Sequence, residues 1–163
     1  MKPISVDTAS VITKCSRRTW WRRIADGAVG RVADDARGRA MLSWADVAPQ
    51  ISPILNRNDL GRVLQADAGD ADAQSDMGAL FSNAGQHEAA LYWLQQAAQQ
   101  GNADAMQWLG GCYLCGQGVA PDENLGIMWI AKAASHGHLI AQAQMNAMRS
   151  TGSEHLGAGG LTN

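Results

Sequence analysis

The sequence contains few cysteines and no long apolar run. Its 163 residues include three cysteines, an odd number that does not fit the disulfide framework of a small secreted domain. No stretch approaches the roughly 20 apolar residues that a membrane-spanning helix requires. Lysine, aspartate and arginines interrupt the N-terminus, where a secretory signal would need an apolar core. These absences predict a cytoplasmic protein with no membrane contact.

The charge of the chain is small in total but divided unevenly. The net charge is −2 at pH 7. Residues 1–57 carry ten Lys/Arg and five Asp/Glu, whereas residues 58–163 carry three Lys/Arg and ten Asp/Glu. A basic N-terminal part joined to an acidic remainder indicates that the N-terminal part binds a polyanion.

A short basic helix is predicted between Ser16 and Gly27. Ser16 fits an N-cap, and Gly27 fits the left-handed residue that follows the end of a helix. Trp20 and Ile24 lie four residues apart, so they share one face and are expected to anchor the helix to a core. The remaining surface is strongly cationic because it carries Arg17, Arg18, Arg22 and Arg23.

Other short elements flank the basic helix. Ser5 fits the N-cap of a preceding helix over residues 6–12, and two short helices joined by a turn form a helix-turn-helix pattern. Residues 29–33 and 39–42 flank a basic tip and predict a small hairpin. A further short helix is predicted after Ser43, ending before Pro49.

The order of these elements resembles the winged helix-turn-helix of the MerR and phage-excisionase superfamily over about residues 4–50. The resemblance rests on Ser-Arg-Arg-Thr-aromatic-aromatic-Arg-Arg-Ile, followed by glycine, the hairpin or wing, and a Ser-x-x-Asp helix. It implies that the base edges of the major groove are contacted by Arg17, Arg18 and Thr19. It also implies that Trp21, Arg22 and Arg23 line the groove wall and that Arg37 and Arg39 are wing contacts.

A longer helix is predicted between this part and the rest of the chain. Ser52-Pro53 is typical of a helix start, because proline favours the first helical position. Apolar positions then continue to about Ala68. The sequence Asn-Arg-Asn at residues 56–58 is the candidate hinge between the two parts.

An internal repeat occupies the second half. The pattern Ala-x-x-Gly-x-x-x-Ala occurs three times, around Gly69, Gly101 and Gly137, at intervals of 32 and 36 residues. Trp93 recurs as Trp129 at the longer interval. A period in this range predicts stacked helical hairpins, in which the glycines end helices.

The repeats resemble the Sel1-like repeat, a relative of the tetratricopeptide repeat, over about residues 59–148. The second unit, residues 105–137, contains Leu-Gly-x-x-Tyr-x-x-Gly-x-Gly-Val-x-x-Asp and then Trp-Ile-x-Lys-Ala-Ala-x-x-Gly-His. The resemblance implies about two full repeats with a half-repeat helix at each end, near the lower limit for a stable solenoid. The N-terminal part or a second subunit is therefore expected to cap an exposed end.

Together these patterns predict a mainly α fold with a small winged helix-turn-helix head at residues 1–50. A short α-solenoid of helical hairpins follows at residues 51–149. Residues 150–163 are rich in glycine and poor in apolar residues, which predicts a disordered tail.

Patterns for catalysis or cofactor binding are scarce. No Ser/His/Asp or paired-carboxylate constellation stands out. No glycine loop of the kind that binds phosphate is present, because Gly116-Gln117-Gly118 is the turn of a repeat. Two Cys and two His, at Cys112, Cys115, His136 and His138, could supply a tetrahedral zinc site. Structural zinc is the minor alternative, because His138 takes the position of Asn102 in the preceding repeat. We expect a non-enzymatic protein without a cofactor.

The favoured hypothesis is a bacterial DNA-binding transcriptional regulator or accessory factor. Its head would bind double-stranded DNA, and its repeats would bind a protein partner or a second copy of the chain. The alternative is a non-enzymatic protein-interaction adaptor that does not bind DNA. The arginines could also turn inward and pair with the acidic residues Asp67, Asp70, Asp72 and Asp76, but we predict that they face outward.

Overall fold

The computed structural model describes residues 2–13, 15–56 and 58–157. Three parts of the predictions lie outside these described residues. They are Lys14 in the turn between the first two helices, Arg57 in the candidate hinge, and residues 158–163 of the predicted tail.

Two short helices come first in the N-terminal part. Helix α1 spans Val6–Ile12 and helix α2 spans Arg17–Ala25. The hydroxyl groups of Ser5 and Ser16 each accept a hydrogen bond from the backbone N–H three residues later, at 3.1 Å. Gly27 follows α2 with φ of +70°. Both predicted N-caps and the predicted glycine stop of α2 are confirmed.

A small antiparallel sheet packs beside these helices. Its strands are β1 (Pro3–Ser5), β2 (Arg31–Val32) and β3 (Met41–Ser43), with β3 in the centre. Pairing of β2 with β3 confirms the predicted hairpin. Strand β1, in which Ile4 lies opposite Leu42, was not predicted. Three residues are too few for an alternation pattern to be recognised.

The predicted helix start at Ser52-Pro53 is wrong. After β3 the chain forms α3 (Trp44–Val47) and a 3₁₀ turn (Ala48–Gln50), and α4 begins only at Asp59 and ends at Ala68.

Local hydrogen bonds explain the later start of α4. The backbone N–H of Ser52 donates to the carbonyl of Ile12 at 2.8 Å, which holds this segment against the end of α1. The carboxylate of Asp59 accepts from the N–H of Asn56 at 2.9 Å, and the Asn56 side chain accepts from the N–H two residues later at 2.7 Å. Such side-chain bonds satisfy the backbone in a turn and compete with a helix.

The second half is a stack of helices that pack pairwise. Helix α5 packs against α6 and α7 against α8, while α6–α7 and α8–α9 contacts join successive pairs. Gly69, Gly101 and Gly137 have φ values of +103°, +91° and +88°, which confirms that they end helices. The bounds are α5 (Ala71–Asn83), α6 (His87–Gln99), α7 (Ala103–Cys115), α8 (Glu123–Ser135) and α9 (Leu139–Gly157).

Helix α9 continues further than the sequence predicts. Residues 150–157, for which the sequence predicts disorder, belong to this helix. The hydroxyl of Ser150 donates to the carbonyl of Asn146 at 2.9 Å, and that of Thr151 donates to the carbonyl of Ala147 at 3.2 Å. These polar side chains are thus satisfied by the preceding helical turn.

One apolar core continues from the N-terminal part into the repeats. Trp20 and Leu42 from the N-terminal part are fully buried, as are Phe81, Trp93 and Leu94 from the repeats. All five belong to the same cluster of buried side chains. Helix α1 packs on α6, and β1 packs on α4. The N-terminal part therefore covers the beginning of the helical stack.

Candidate nucleic-acid interface and protein-binding surface

The arginines of α2 face away from the repeats. Arg17, Arg18 and Arg22 are exposed. The Nε atom of Arg17 lies 2.9 Å from Oδ1 of Asp7, on the neighbouring helix α1. Within the described residues, the side chains of Arg18 and Arg22 make no ion pair or hydrogen bond. The outward orientation predicted for the basic helix therefore agrees with the geometry of these three side chains.

The four acidic residues considered as inward partners are engaged elsewhere. Asp70 caps α5, Asp72 accepts a hydrogen bond from Asn102, and Asp76 lies 3.4 Å from Arg62. Asp67 is buried against the N-terminal part but contacts no arginine of α2. The acidic repeats thus leave the basic face of α2 uncovered.

Arg23 differs from the other arginines of α2 because it is half-buried. Its guanidinium lies 5.2 Å from the centroid of the Trp20 ring and donates to Oε1 of Gln50. The thiol of Cys15 donates to the same oxygen at 2.9 Å. Trp20 is fully buried and Ile24 half-buried, so both anchor the helix as predicted. Arg23 also serves this anchoring and is less available to a ligand than the exposed arginines.

Thr19 and Trp21 occupy the two sides of the exposed face. The backbone N–H and the hydroxyl of Thr19 both contact the hydroxyl of Ser16, at 3.1 and 2.9 Å. Trp21 is 39% exposed, and the guanidinium of Arg31 lies 5.7 Å from its ring centroid. Arg31 in turn pairs with Asp34 at 2.7 Å. An exposed indole beside arginines is suited to contact a flat or charged ligand surface.

The two predicted wing contacts turn towards the repeats instead of outward. Arg37 donates to the carbonyl of Ala68, at the end of α4. Arg39 donates to the carbonyl oxygen of Asp67 at 2.8 Å and lies 2.9 Å from its carboxylate. A second ion pair of 2.8 Å joins Arg39 to Asp35. Because these contacts occupy both side chains, we do not include Arg37 and Arg39 in the proposed DNA-binding surface.

The charges around Arg39 stabilise one another. The backbone N–H and the guanidinium of Arg39 donate to the Asp35 carboxylate, which lowers the pKa of Asp35 below its ordinary value. Burial alone would lower the pKa of Arg39, but Asp35 and Asp67 raise it. Asp35 and Arg39 are therefore both held in their charged forms.

Asp67 is the polar centre between the N-terminal part and the repeats. Its side chain is 5% exposed. Its carboxylate accepts hydrogen bonds from the backbone N–H and hydroxyl of Ser5, at 3.0 and 2.6 Å, and from the hydroxyl of Thr8 at 2.7 Å. With the pair to Arg39, the buried charge is fully satisfied, as a buried carboxylate requires.

The N-cap residues of α5, α7 and α9 form a second polar series. Each accepts a hydrogen bond from the backbone N–H three residues later, at 2.8, 2.9 and 3.2 Å, and they are Asp70, Asn102 and His138. Each later cap also contacts the preceding repeat. Asn102 donates to Asp72 at 2.8 Å, and Nε2 of His138 lies 3.2 Å from Asp104. In α9 the position equivalent to Asp104, 36 residues later, is the apolar Ile140, so the series of acidic partners ends there.

The geometry gives the zinc alternative no support. Cys112 is buried, and burial raises the pKa of its thiol, with a smaller contribution from Cys115. Nδ1 of His136 lies 2.9 Å from the carbonyl of Lys132, and His138 is occupied as an N-cap. In the part of the chain that the structure describes, no group of three or more His, Cys, Asp or Glu side chains could hold a metal ion.

Exposed apolar side chains concentrate at the C-terminal end of the stack. Leu139 and Ile140, in the first turn of α9, are 79% and 61% exposed. Four further large apolar residues of α7–α9 have more than a third of their surface exposed, namely Leu114, Leu125, Met128 and Met148. A solenoid normally ends in a polar face. This end is therefore a candidate protein-binding surface.

Several of these residues had no clear signal in the sequence. Asp67 is one of many acids in the second half, and nothing local marks it as buried. Gln50 follows a short helix with no pattern that predicts its contacts. Leu139 and Ile140 could have been found, because a shift of 36 residues aligns them with Ala103 and Asp104.

The fold and its polar N-cap series define a class, the helical repeat proteins that stack hairpins into a solenoid. The Sel1 repeat model matches residues 71–102 and 103–138. A Sel1 repeat protein from Oxalobacter formigenes is 32% identical with a TM-score of 0.53, covering 60% of this chain and 76% of that chain. The chain belongs to the Sel1 repeat family.

A second solved structure shares the fold over a smaller part of its length. It is a protective antigen present in uropathogenic Escherichia coli strains and displays an SLR fold. It is 33% identical with a TM-score of 0.55, and the match covers 60% of this chain but 22% of that chain. The predicted Sel1-like resemblance is thereby confirmed. None of the described helices is both long and apolar enough to cross a membrane.

Proposed function

We propose that this protein is a non-enzymatic adaptor whose Sel1 repeats bind a partner protein. The observation that carries the proposal is the apolar C-terminal end of the stack, where Leu139 and Ile140 are mostly exposed. An exposed apolar patch on a helical repeat is the usual mark of a protein contact. No charged residue occurs in α9 before Arg149, so a partner would bury no unpaired charge along most of this helix.

The test is affinity capture with the full chain from nuclease-treated extract, followed by reconstitution with the purified partner. We expect a stoichiometric complex that is lost in the double variant Leu139→Ser/Ile140→Ser. Val32→Ser is the matched control, because Val32 is 40% exposed but lies in β2, in the N-terminal part. Equal capture by the double variant and the wild type would contradict the proposal.

Duplex DNA binding by α2 is the second candidate function. It is favoured by the exposed side chains of Arg18 and Arg22, which have no partner among the described residues, and by the exposed Trp21 beside them. The arrangement of α1, α2 and the hairpin is compatible with a winged helix-turn-helix, and phosphate contacts would supply most of the affinity. In this hypothesis Arg17, Thr19 and the half-buried Arg23 flank the contact, and the protein acts as a regulator or accessory factor.

A mobility shift on mixed duplexes at low salt tests this candidate. Arg18→Ala/Arg22→Ala should weaken the shift at least tenfold and reduce the salt dependence of the residual binding by about two counterions. Arg62→Ala is the control, because Arg62 is equally exposed but belongs to α4. If wild type shifts no duplex while the protein complex forms, the adaptor without DNA binding is the correct function.

A further inference from the structure

A groove at the end of the stack lies between three helices. Its volume is about 610 Å³, and its apolar lining consists of Leu114 from α7, Ile127 from α8 and two methionines, Met145 and Met148, from α9. Glu123 and Arg149 line it as well. Both charged residues are exposed, and neither forms an ion pair among the described side chains.

The preceding repeat contains the same position in a covered state. Ile127 and Met148 follow Leu91 and Cys112 by 36 residues. Leu91 is 6% exposed and Cys112 1%, whereas Ile127 is half-buried and Met148 is 38% exposed. The two positions therefore differ in whether something lies over them.

The cover in the preceding repeat is the loop between α7 and α8. A Cβ atom built on Gly118 would lie 2.8 Å from Cδ1 of Leu91 and 3.0 Å from Cβ of His87, so this glycine touches the first turns of α6. Gly118 has φ of +74°, and the next residue, Val119, packs against the core. The cover is thus a bent loop in which a glycine of positive φ is followed by a small β-branched residue.

At the last repeat the described residues do not supply this cover. Helix α7 ends at Cys115, and Gly116 adopts the left-handed conformation that turns the chain back. The residue 36 positions later, Gly152, is still within α9. The described chain therefore leaves Ile127 and Met148 uncovered.

We propose that this groove binds a loop of the partner protein, in the manner of the loop at Gly118–Val119 in the preceding repeat. The partner loop has a glycine against Ile127, a small apolar residue directly after this glycine, and charged residues of opposite sign facing Glu123 and Arg149. This inference rests on the proposed adaptor function and specifies the chemistry of its partner. The partner loop would pack on the last repeat as the loop at Gly118–Val119 packs on the repeat before it.

The probe is a fluorescent peptide that copies residues 115–122 with Cys115→Ser. Fluorescence anisotropy with the full chain should give saturable binding, weakened at least tenfold by Ile127→Ser and by Met148→Ser. Met128→Ser is the matched control, because Met128 is 37% exposed on the same helix but does not line the groove. It should stay within twofold of wild type. A peptide that also carries Gly118→Val should not bind, since no room exists for a Cβ.

Three results would overturn the inference. One is the absence of saturable peptide binding by the folded wild-type chain, and another is binding that Ile127→Ser and Met148→Ser leave unchanged. The third is a dimer of the chain alone that dissociates on Ile127→Ser, because a second copy would then be the occupant. If the captured partner complex survives Ile127→Ser, the groove assignment fails while the adaptor function stands. If wild type captures no partner, the adaptor function fails and the peptide titration still tests the groove.

Discussion

Asp67 determines how firmly the N-terminal part is held on the repeats. Its buried carboxylate accepts bonds from Ser5, Thr8 and Arg39. Asp67→Ala would leave these donors without an acceptor, and we expect the free energy of unfolding to fall by about 3 kcal/mol. Urea denaturation followed by circular dichroism measures this change.

The control for this prediction is Asp76→Ala. Asp76 pairs with Arg62 at 3.4 Å, and both side chains are more than half exposed. Such surface pairs contribute about 0.5 kcal/mol or less. Equal effects of the two substitutions would show that Asp67 is not the polar centre that its geometry indicates.

The burial and the contacts of single residues were only partly predictable from the sequence. Trp20 and Ser16 were predictable, because caps and helical faces depend on neighbours within four residues. The contacts of Arg37 and Arg39 with the end of α4 were not, because these partners are 28 or more residues apart in the chain. A run of arginines predicts a cationic segment, but it does not show which of these arginines make contacts within the protein.

At the scale of elements, close packing of α7 on α8 depends on Gly110. A Cβ atom there would lie 2.5 Å from Cγ1 of Ile130 and 3.0 Å from the carbonyl oxygen of Gly126. We expect Gly110→Ala to lower the free energy of unfolding by about 1–3 kcal/mol, since the helices would have to separate. The midpoint of urea denaturation measures the effect.

The adjacent Gly111 provides a matched control. It lies in the same helix, and a Cβ atom there would meet nothing within 4 Å. Gly111→Ala should therefore stabilise the protein by up to about 1 kcal/mol, because alanine is the better helix former. Equal destabilisation by both changes would contradict the prediction, because the effect at Gly110 would then not depend on the approach to Ile130.

Helices were predictable where caps and repeat spacing agreed. The three glycines that end repeat helices, and the intervals between them, located the hairpins of the second half. The start of α4 was missed, because Ser52-Pro53 has the local chemistry of a helix start while Ile12 holds the segment extended. Strand β1 forms only because β3 provides its partner, which is a tertiary effect with no local pattern.

At the scale of the whole molecule, the sequence predicts that the N-terminal part or a second subunit caps an end of the repeats, but it does not predict the contacts between the two parts. The composition changes near residue 57 from basic to acidic, which suggested two parts joined by a hinge. In the structure, Trp20 and Trp93 belong to one cluster of buried side chains, and Asp67 joins the two parts by hydrogen bonds. The uneven charge describes the surfaces of the two parts, whereas the buried contacts between them determine whether they unfold together.

This shared core predicts that the described chain unfolds as one cooperative unit. Leu42 in β3 and Leu94 in α6 are both fully buried in the cluster. Leu42→Ala should lower the free energy of unfolding by about 2–5 kcal/mol, and hydrogen exchange should show the same decrease at amides of β3 and of α6. If only the amides of the N-terminal part lose protection, that part is an independent domain, and a boundary near residue 50 with a hinge at residues 56–58 is correct. An equal loss of protection at the amides of β3 and of α6 would instead mean that the two parts are one rigid unit. The basic face of α2 and the apolar end of α9 would then have a fixed relative orientation, and so would the ligands bound at these two surfaces.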